Sequence, residues 1–277
     1  MLQILMATYN GEQYLEQQIS SILNQTYSAW QLCIADDGST DATLDIVERY
    51  CNLYPQKIKR IDSPSRQGVL RTFETLLQHA TADYVMFADQ DDVWMEDKIR
   101  LTFQEINSLE HTYSSDVPLL VHTNMTTVDS ELHVLAADFW QSARLSPKVL
   151  DKDPRRLAIC NCVTGCTVML NRAAINVALP FPDNVVYHDA WLGLSTSLCG
   201  HVGYVTQPTM LYRQHQHNLV GARPYSFSFF ERLIHIPRLI RRDRVLYHAA
   251  HPQVFHNWFH FACCKVRHFV LFHIFNS

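Results

Sequence analysis

The sequence predicts an α/β fold with a largely parallel sheet. Short apolar segments alternate with amphipathic segments through residues 1–130, and polar clusters rich in Asp, Asn and Gly follow directly on several of the apolar ones. The chain has 277 residues, 47% hydrophobic and 18% charged. That is enough for one or two domains with a sizeable core, and it excludes a mostly disordered chain.

Each element has its own signature. Residues 2–7 read as a buried strand. Residues 12–25 read as a helix with Leu15, Ile19, Ile22 and Leu23 at helical spacing. A second strand is expected at 30–36 and a second helix at 40–53, with Ser39 or Thr40 as the N-cap. Residues 57–62 form a short third strand, and 68–79 a helix that turns Val69, Phe73, Leu76 and Leu77 inward. A fourth strand follows at 83–88, a helix at 94–109 and a strand-like stretch at 118–128. Beyond residue 150 the alternation loosens to a strand at 164–171, a helix near 190–199 and short strands at 202–206 and 209–213.

In such sheets ligands collect at the carboxyl ends of the strands. Three polar clusters stand there: Thr8-Tyr9-Asn10-Gly11, Asp36-Asp37-Gly38-Ser39-Thr40-Asp41 and Asp89-Gln90-Asp91-Asp92. Taken singly, each is ordinary turn and cap chemistry. Carboxylates converging on one edge repel unless a cation or hydrogen-bond donors neutralise them. Hard oxygen ligands suit Mg²⁺ or Mn²⁺, ions that commonly share their shell with a substrate diphosphate.

Ordered blocks then carry a resemblance. Ala7-Thr8-Tyr9-Asn10, the run from Ile19 to Tyr27 and Asp36-Asp37-Gly38-Ser39-Thr40-Asp41 resemble the opening of family 2 glycosyltransferases. Phe87-Ala88-Asp89-Gln90-Asp91-Asp92-Val93-Trp94 is similar to the Asp-x-Asp region of the rhamnosyltransferase-like subgroup. So are Cys162-Val163-Thr164-Gly165-Cys166, His188-Asp189-Ala190-Trp191 and the block from Tyr212 to Gly221 that contains Arg213, His215 and His217. The resemblance covers about residues 2–221. It implies the GT-A fold, a Rossmann-like nucleotide-sugar-binding α/β domain with a mixed sheet flanked by helices.

The resemblance also implies roles. Tyr9 would stack on the nucleotide base, with Thr8 and Asn10 in the same loop. Asp36 and Asp37 would between them accept from base, ribose or nearby backbone. Asp89 would contact the ribose or metal-bound water, and Asp91 would ligate Mn²⁺ or Mg²⁺. Asp92 would either join that group or cap the following helix. His215, or alternatively His217, would complete the metal shell. Arg66 and Arg71 flank Gln67-Gly68, where relatives often carry Asn-x-Gly, so a diphosphate contact by either arginine rests on a departed motif. Asp189 would be the general base of an inverting transfer, with Trp191 in the acceptor site or the core. The implied reaction moves rhamnose, first from a dTDP donor, or galactose or another hexose. The acceptor would be a bacterial surface polysaccharide or lipid-linked glycan. A nucleotidyltransferase or phosphohydrolase on the same edge, and a non-catalytic assembly subunit, are the alternative classes.

Charge divides the chain. Residues 1–221 carry a net −10, whereas residues 222–277 carry +6 together with 12 of the 31 aromatics and 7 of the 15 histidines. The expected organisation is a catalytic domain at 1–221 and a basic, aromatic helical extension at 222–277. On a helix from Gln253, Phe255, Trp258, Phe259, Ala262, Val266, Phe269 and Val270 share one face. Lys265, Arg267 and the histidines oppose a membrane span. An interfacial helix on the inner face of the cytoplasmic membrane is the preferred reading, with packing back on the enzyme or homo-oligomer contact as alternatives. Nucleic-acid binding is disfavoured by the sugar-transferase motifs. No export signal is visible, so reduced cysteines in the cytoplasm are expected. Cys160, Cys162 and Cys166 lack the spacing of a zinc knuckle.

Overall fold

A computed structural model describes residues 1–150, 153–183, 185, 187–215, 247 and 254–274, without the side chains of 149–150 and 268–274. Its first half alternates as the periodicity predicts: β1 (Leu2–Thr8), α1 (Leu15–Leu23), β2 (Trp30–Asp36), α2 (Thr43–Leu53), β3 (Ile58–Arg60), α3 (Val69–His79) and β4 (Tyr84–Ala88). A two-residue strand β5 (Val93–Trp94), the long helix α4 (Lys98–Tyr113), β6 (Leu119–Val128) and β7 (Val134–Ala136) follow. Short helices α5 (Phe139–Ser142), α6 (Pro147–Leu150) and α7 (Pro154–Ile159) lead to a 3₁₀ turn at Gly165–Thr167. Then come β8 (Val168–Asn171), α8 (Arg172–Ala178), α9 (His188–Cys199), β9 (His201–Arg213) and α10 (Trp258–Ile274).

Nine strands form one mixed sheet in the order β3-β2-β1-β4-β8-β6-β9-β5, with β7 paired to β6. The β3, β2, β1 and β4 neighbours are parallel. β8 runs antiparallel to both β4 and β6. The period-2 pattern sends Leu2, Ile4, Met6, Leu32, Ile34 and Met86 to one face, where Ile19, Ile22, Val47, Ile99 and Ile106 cover them. Leu5, Cys33, Ala35, Val85 and Phe87 point to the other face, under Phe73, Leu76, Ile175 and Leu192. Both faces are buried, which is why these strands read as nearly continuous apolar runs.

Several boundaries differ from those expected, each for a local reason. α2 begins at Thr43 and not at residue 40, because Ser39 and Thr40 are bonded to Asp36 and Asn10. Neither Ser39 nor Thr40 caps the helix. Residues 94–109 are not one helix: Val93 and Trp94 pair with Leu211 and Met210 of β9, and α4 starts only at Lys98. The strands expected at 202–206 and 209–213 are one strand, β9, whose register against β6 shifts between Thr123 and Thr126. α10 starts at Trp258; Phe255 precedes it and packs with Phe261, Ala158 and Leu194 in a satellite core against α7 and α9.

Register brings the clusters together. Thr8 lies opposite Asp36, and Met6 opposite Ala88, so the residues that follow β1, β2 and β4 leave the sheet along one edge. The β5–β9 pairing carries the end of β9 to the same edge.

Candidate functional site

The first two clusters are locked together by hydrogen bonds. Asp36 accepts from the Gly38 and Ser39 amides at 2.9 and 2.8 Å and from the Thr8 hydroxyl at 2.9 Å. Asn10 accepts from the Thr40 amide at 2.8 Å, and its own amide donates to Ser39 Oγ at 2.9 Å. Asp37, nearly buried, accepts from the Gln67 and Gly68 amides at 2.8 and 3.0 Å, and Arg66 donates its amide to the Asp37 carbonyl at 3.0 Å. Asp36 and Asp37 therefore fix the two turns beside the end of β2. Tyr9 stands out from these loops with 52% of its surface exposed.

Gln90 ties the first cluster to the third. The Tyr9 amide donates to Gln90 Oε1 at 2.9 Å, and Gln90 Nε2 donates to the Tyr9 carbonyl at 3.0 Å. A Cβ at residue 11 would overlap this carboxamide, so Gly11 lets Gln90 keep its place. Arg66 is exposed next to the turn that Asp37 pins. Arg71 instead donates to Glu74 and to Asp183, at 2.5 and 2.9 Å, which commits it to structure.

In the third cluster Asp91 Oδ2 lies 2.8 Å from His215 Nε2, and both side chains are largely enclosed. Asp92 does not cap α4, which starts after Asp97; it is fully buried and accepts from the Arg213 amide at 3.0 Å. Its Oδ2 has no hydrogen-bond partner among the described residues. Asp89, Asp92 and Cys166 place one ligand atom each within 4.8 Å of one another, so Cys166 belongs to this cluster and not to a knuckle with Cys160 and Cys162. No disulfide is formed among the described cysteines.

Burial pushes Asp89 up to about 7, with Asp91 and Asp189 adding repulsion. Burial, then Asp91 and Asp89, raises Asp92 further. Lys98 is the internal counter-charge: fully buried, it donates to Thr209 Oγ1 and Met210 Sδ at 3.3 Å. Burial lowers it to about 8 while Cys166, Asp92 and Asp89 oppose the drop, so it remains mostly protonated at neutral pH.

Asp189 opens α9, accepting from the Ala190 amide at 2.6 Å, and burial raises it to about 6. His188 beside it packs its ring, tilted, against Phe73 and Phe87 at centroid distances of 4.5 and 5.5 Å. Burial holds that ring near 4, hence neutral. Gly165 leaves the room His188 needs. Trp191 donates to the Ala178 carbonyl at 2.8 Å, which assigns it to packing. Next to His215, Gln13, Tyr14, Asp129, Ser130, Glu131 and Gln214 line an open cleft of about 600 Å³.

A carboxylate oxygen and an imidazole nitrogen are donors that Mn²⁺ accepts. Two neighbouring ligands of an octahedral ion lie about 3 Å apart, so the 2.8 Å Asp91–His215 spacing fits a shared cation. The electron-rich Asp89–Asp92 edge favours the same charge. His217 lies outside the described residues, and so do most of residues 222–277.

Gln90, Lys98, Tyr14 and Arg213 were not among the site residues expected from sequence. Gln90 is the middle residue of Asp-x-Asp, and Arg213 lies inside the Tyr212–Gly221 block, two residues before His215; Lys98 and Tyr14 leave no signal of their own. The arrangement as a whole is that of an α/β domain with polar clusters at the strand ends and an enclosed carboxylate–imidazole pair beside them.

Comparison with known proteins gives that class a family. The family model "Glycosyl transferase family 2" matches residues 3–176. The chain is 30% identical to dTDP-rhamnosyl transferase RfbG of Shigella flexneri over 246 residues, 82% of this chain and 78% of that one. It is 24% identical to the UDP-Glc:alpha-D-GlcNAc-diphosphoundecaprenol beta-1,3-glucosyltransferase WfgD of Escherichia coli, over 70% of this chain and 69% of the relative. The S. aureus TarS 1–349 structure in complex with UDP-GlcNAc superposes with a TM-score of 0.60 at 18% identity, over 98% of this chain and 75% of that one. The mannosyltransferase PcManGT from Pyrobaculum calidifontis, in complex with GDP-Man and Mn²⁺, does so at 0.56 and 18%, over 97% and 75%. The chain belongs to glycosyl transferase family 2 and has the GT-A fold.

Proposed function

We propose that the chain transfers a sugar from a nucleoside diphosphate donor to a hydroxyl of a bacterial surface polysaccharide or its lipid-linked precursor, with inversion. The observation that carries this reading is the enclosed Asp91–His215 pair at 2.8 Å, on the same edge as a half-buried Asp189 and an exposed Tyr9. RfbG, a dTDP-rhamnosyl transferase at 30% identity, supports rhamnose from a dTDP donor ahead of another hexose.

In this reading Tyr9 stacks on the base, and the Thr8–Asn10 loop with Asp36 and Asp37 frames base and ribose. Asp89 faces the ribose or the ion's water, and Arg66 reaches toward the diphosphate. Asp91 and His215 hold Mn²⁺ or Mg²⁺, which when bound offsets charge on the departing nucleoside diphosphate. Asp189 takes the proton from the acceptor hydroxyl as that oxygen attacks the anomeric carbon. A carboxylate near 6 is ionised at neutral pH and is a stronger base than an ordinary Asp.

The catalytic unit is 1–221, and the extension 222–277 attaches the enzyme to the inner face of the membrane. In support, Phe259 and Val266 of α10 are 76% and 63% exposed and Trp258 is 40% exposed, while Phe255 and Phe261 anchor the segment on the enzyme. No helix among the described residues is long and apolar enough to cross a membrane. Deleting 222–277 is expected to abolish sedimentation with anionic liposomes.

The decisive experiment is a donor-hydrolysis screen of nucleotide sugars with and without Mn²⁺, with Asp91→Ala as control. Mn²⁺-dependent release of nucleoside diphosphate, lost in Asp91→Ala, is the expected result. A metal-independent signal that survives the substitution, or release of pyrophosphate, sinks the reading.

A further inference from the structure

We propose that Tyr14 and Arg213 are positioning residues for the cation-binding pair, acting through a stacked chain that ends on the His215 ring. The inference rests on the assignment of Asp91 and His215 as ligands made above. His215 lies two residues beyond the end of β9, and the Gln214 amide bond to the Val128 carbonyl, 2.8 Å, precedes it. The strand ladder therefore does not orient the imidazole, and neighbouring side chains must.

Tyr14 supplies the surface. Its ring centroid is 5.0 Å from that of His215, tilted by 37°. The Arg213 guanidinium lies 4.4 Å from the same ring, within cation–π range. Tyr14 is held in turn by its amide bond to the Gly11 carbonyl at 3.1 Å, at the start of α1. The Tyr14 hydroxyl makes no hydrogen bond among the described residues, so the ring face does the orienting.

Arg213 joins this stack to the other ligand. It is 2% exposed, and its Nε donates to the Asp91 backbone carbonyl at 2.8 Å. Its two terminal nitrogens donate to the Ser130 carbonyl and Gln17 Oε1, both at 2.5 Å. Its own amide donates to Asp92 Oδ1 at 3.0 Å. One buried side chain thus fixes the main chain that carries Asp91 and the ring that abuts His215. Among the described residues the fork donates to three neutral oxygens, and a guanidinium so enclosed is built to position. Groups that orient metal ligands from behind typically change affinity by about 10–100-fold.

The test is Mn²⁺ alone, titrated into the full chain, with free ion followed by electron paramagnetic resonance. Tyr14→Phe is expected to bind within about twofold of wild type. Tyr14→Ala should bind at least about tenfold more weakly, with a melting temperature matching the Phe variant. Tyr14→Leu, which keeps apolar volume but no ring face, carries the same expectation and serves if the Ala variant does not fold. Arg213→Lys, which keeps the charge and loses the fork, should also weaken binding. Binding by Tyr14→Ala and Tyr14→Leu that equals wild type, while Asp91→Ala abolishes it, overturns the stack and leaves the cation site standing. Equal weakening in Tyr14→Phe and Tyr14→Ala overturns it too, since the hydroxyl would then be the active part. Mn²⁺ binding that is absent from wild type, or unchanged in Asp91→Ala, overturns the site assignment and the positioning role with it.

Discussion

Asp189→Asn separates a strained base from a helix cap, because the two roles predict opposite effects on stability. Burial raises Asp189 from 3.8 to about 6, so the folded protein holds this proton more tightly than the unfolded chain does. The group's favourable contribution is therefore present below pH 3.8 and is lost as pH rises through about 6. At roughly 1.4 kcal/mol per pH unit of difference, ionisation costs the fold about 3 kcal/mol at pH 7.5 and about 1 kcal/mol at pH 4.5. Partial solvent contact makes both figures ceilings. Asp189→Asn keeps an acceptor for the Ala190 amide and removes the charge. Urea denaturation should show it more stable than wild type by about 1–3 kcal/mol at pH 7.5, with a smaller margin at pH 4.5. Transfer should fall at least about 10²-fold, and wild-type kcat/KM should rise about tenfold per pH unit below 6 before levelling. A less stable Asn variant at pH 7.5, or a margin independent of pH, would refute a half-buried, strained carboxylate and leave a cap.

Other substitutions test other joints. Gly11→Ala should displace Gln90 and break its paired bonds to Tyr9, costing about 1–3 kcal/mol in urea melts and raising donor KM. An unchanged midpoint and KM would show that the Tyr9–Gln90 pairing is dispensable. Asp37→Ala strips the acceptor from the Gln67 and Gly68 amides; a loss of about 2–4 kcal/mol is expected, checked by thermal and urea unfolding. Phe261→Ala empties the satellite core under α10 and should cost about 3–5 kcal/mol if that segment unfolds together with the domain. A separate early transition confined to the extension would show that it melts on its own.

Much of the fold was legible because its cause is local. Leu2, Ile4 and Met6 alternate with Leu5, and Phe73, Leu76 and Leu77 recur at helical spacing, so the first strands and helices follow from period alone. The second half was not, since its elements are short and their partners distant. Val93–Trp94 is a strand only because β9 pairs with it more than 110 residues later, and the paired strands expected after α9 fuse because β6 runs alongside both. Ser39 and Thr40 look like a helix cap in sequence; the bonds that Ser39 Oγ donates to Asp36 and the Thr40 amide donates to Asn10 are what move the helix start.

By itself the sequence determined the α/β alternation, the three polar clusters at strand ends and the family likeness, all properties of residue type and spacing. Only the tertiary structure decided which carboxylate does what. It drew Asp91 to His215 across 124 positions of chain, and it buried Asp92 against the Arg213 amide in place of a cap. It also set Lys98 inside as the counter-charge and put Tyr14 against both Arg213 and His215. The physical reason is that charge, burial and stacking depend on distance through space, and sheet register sets those distances after the chain has folded.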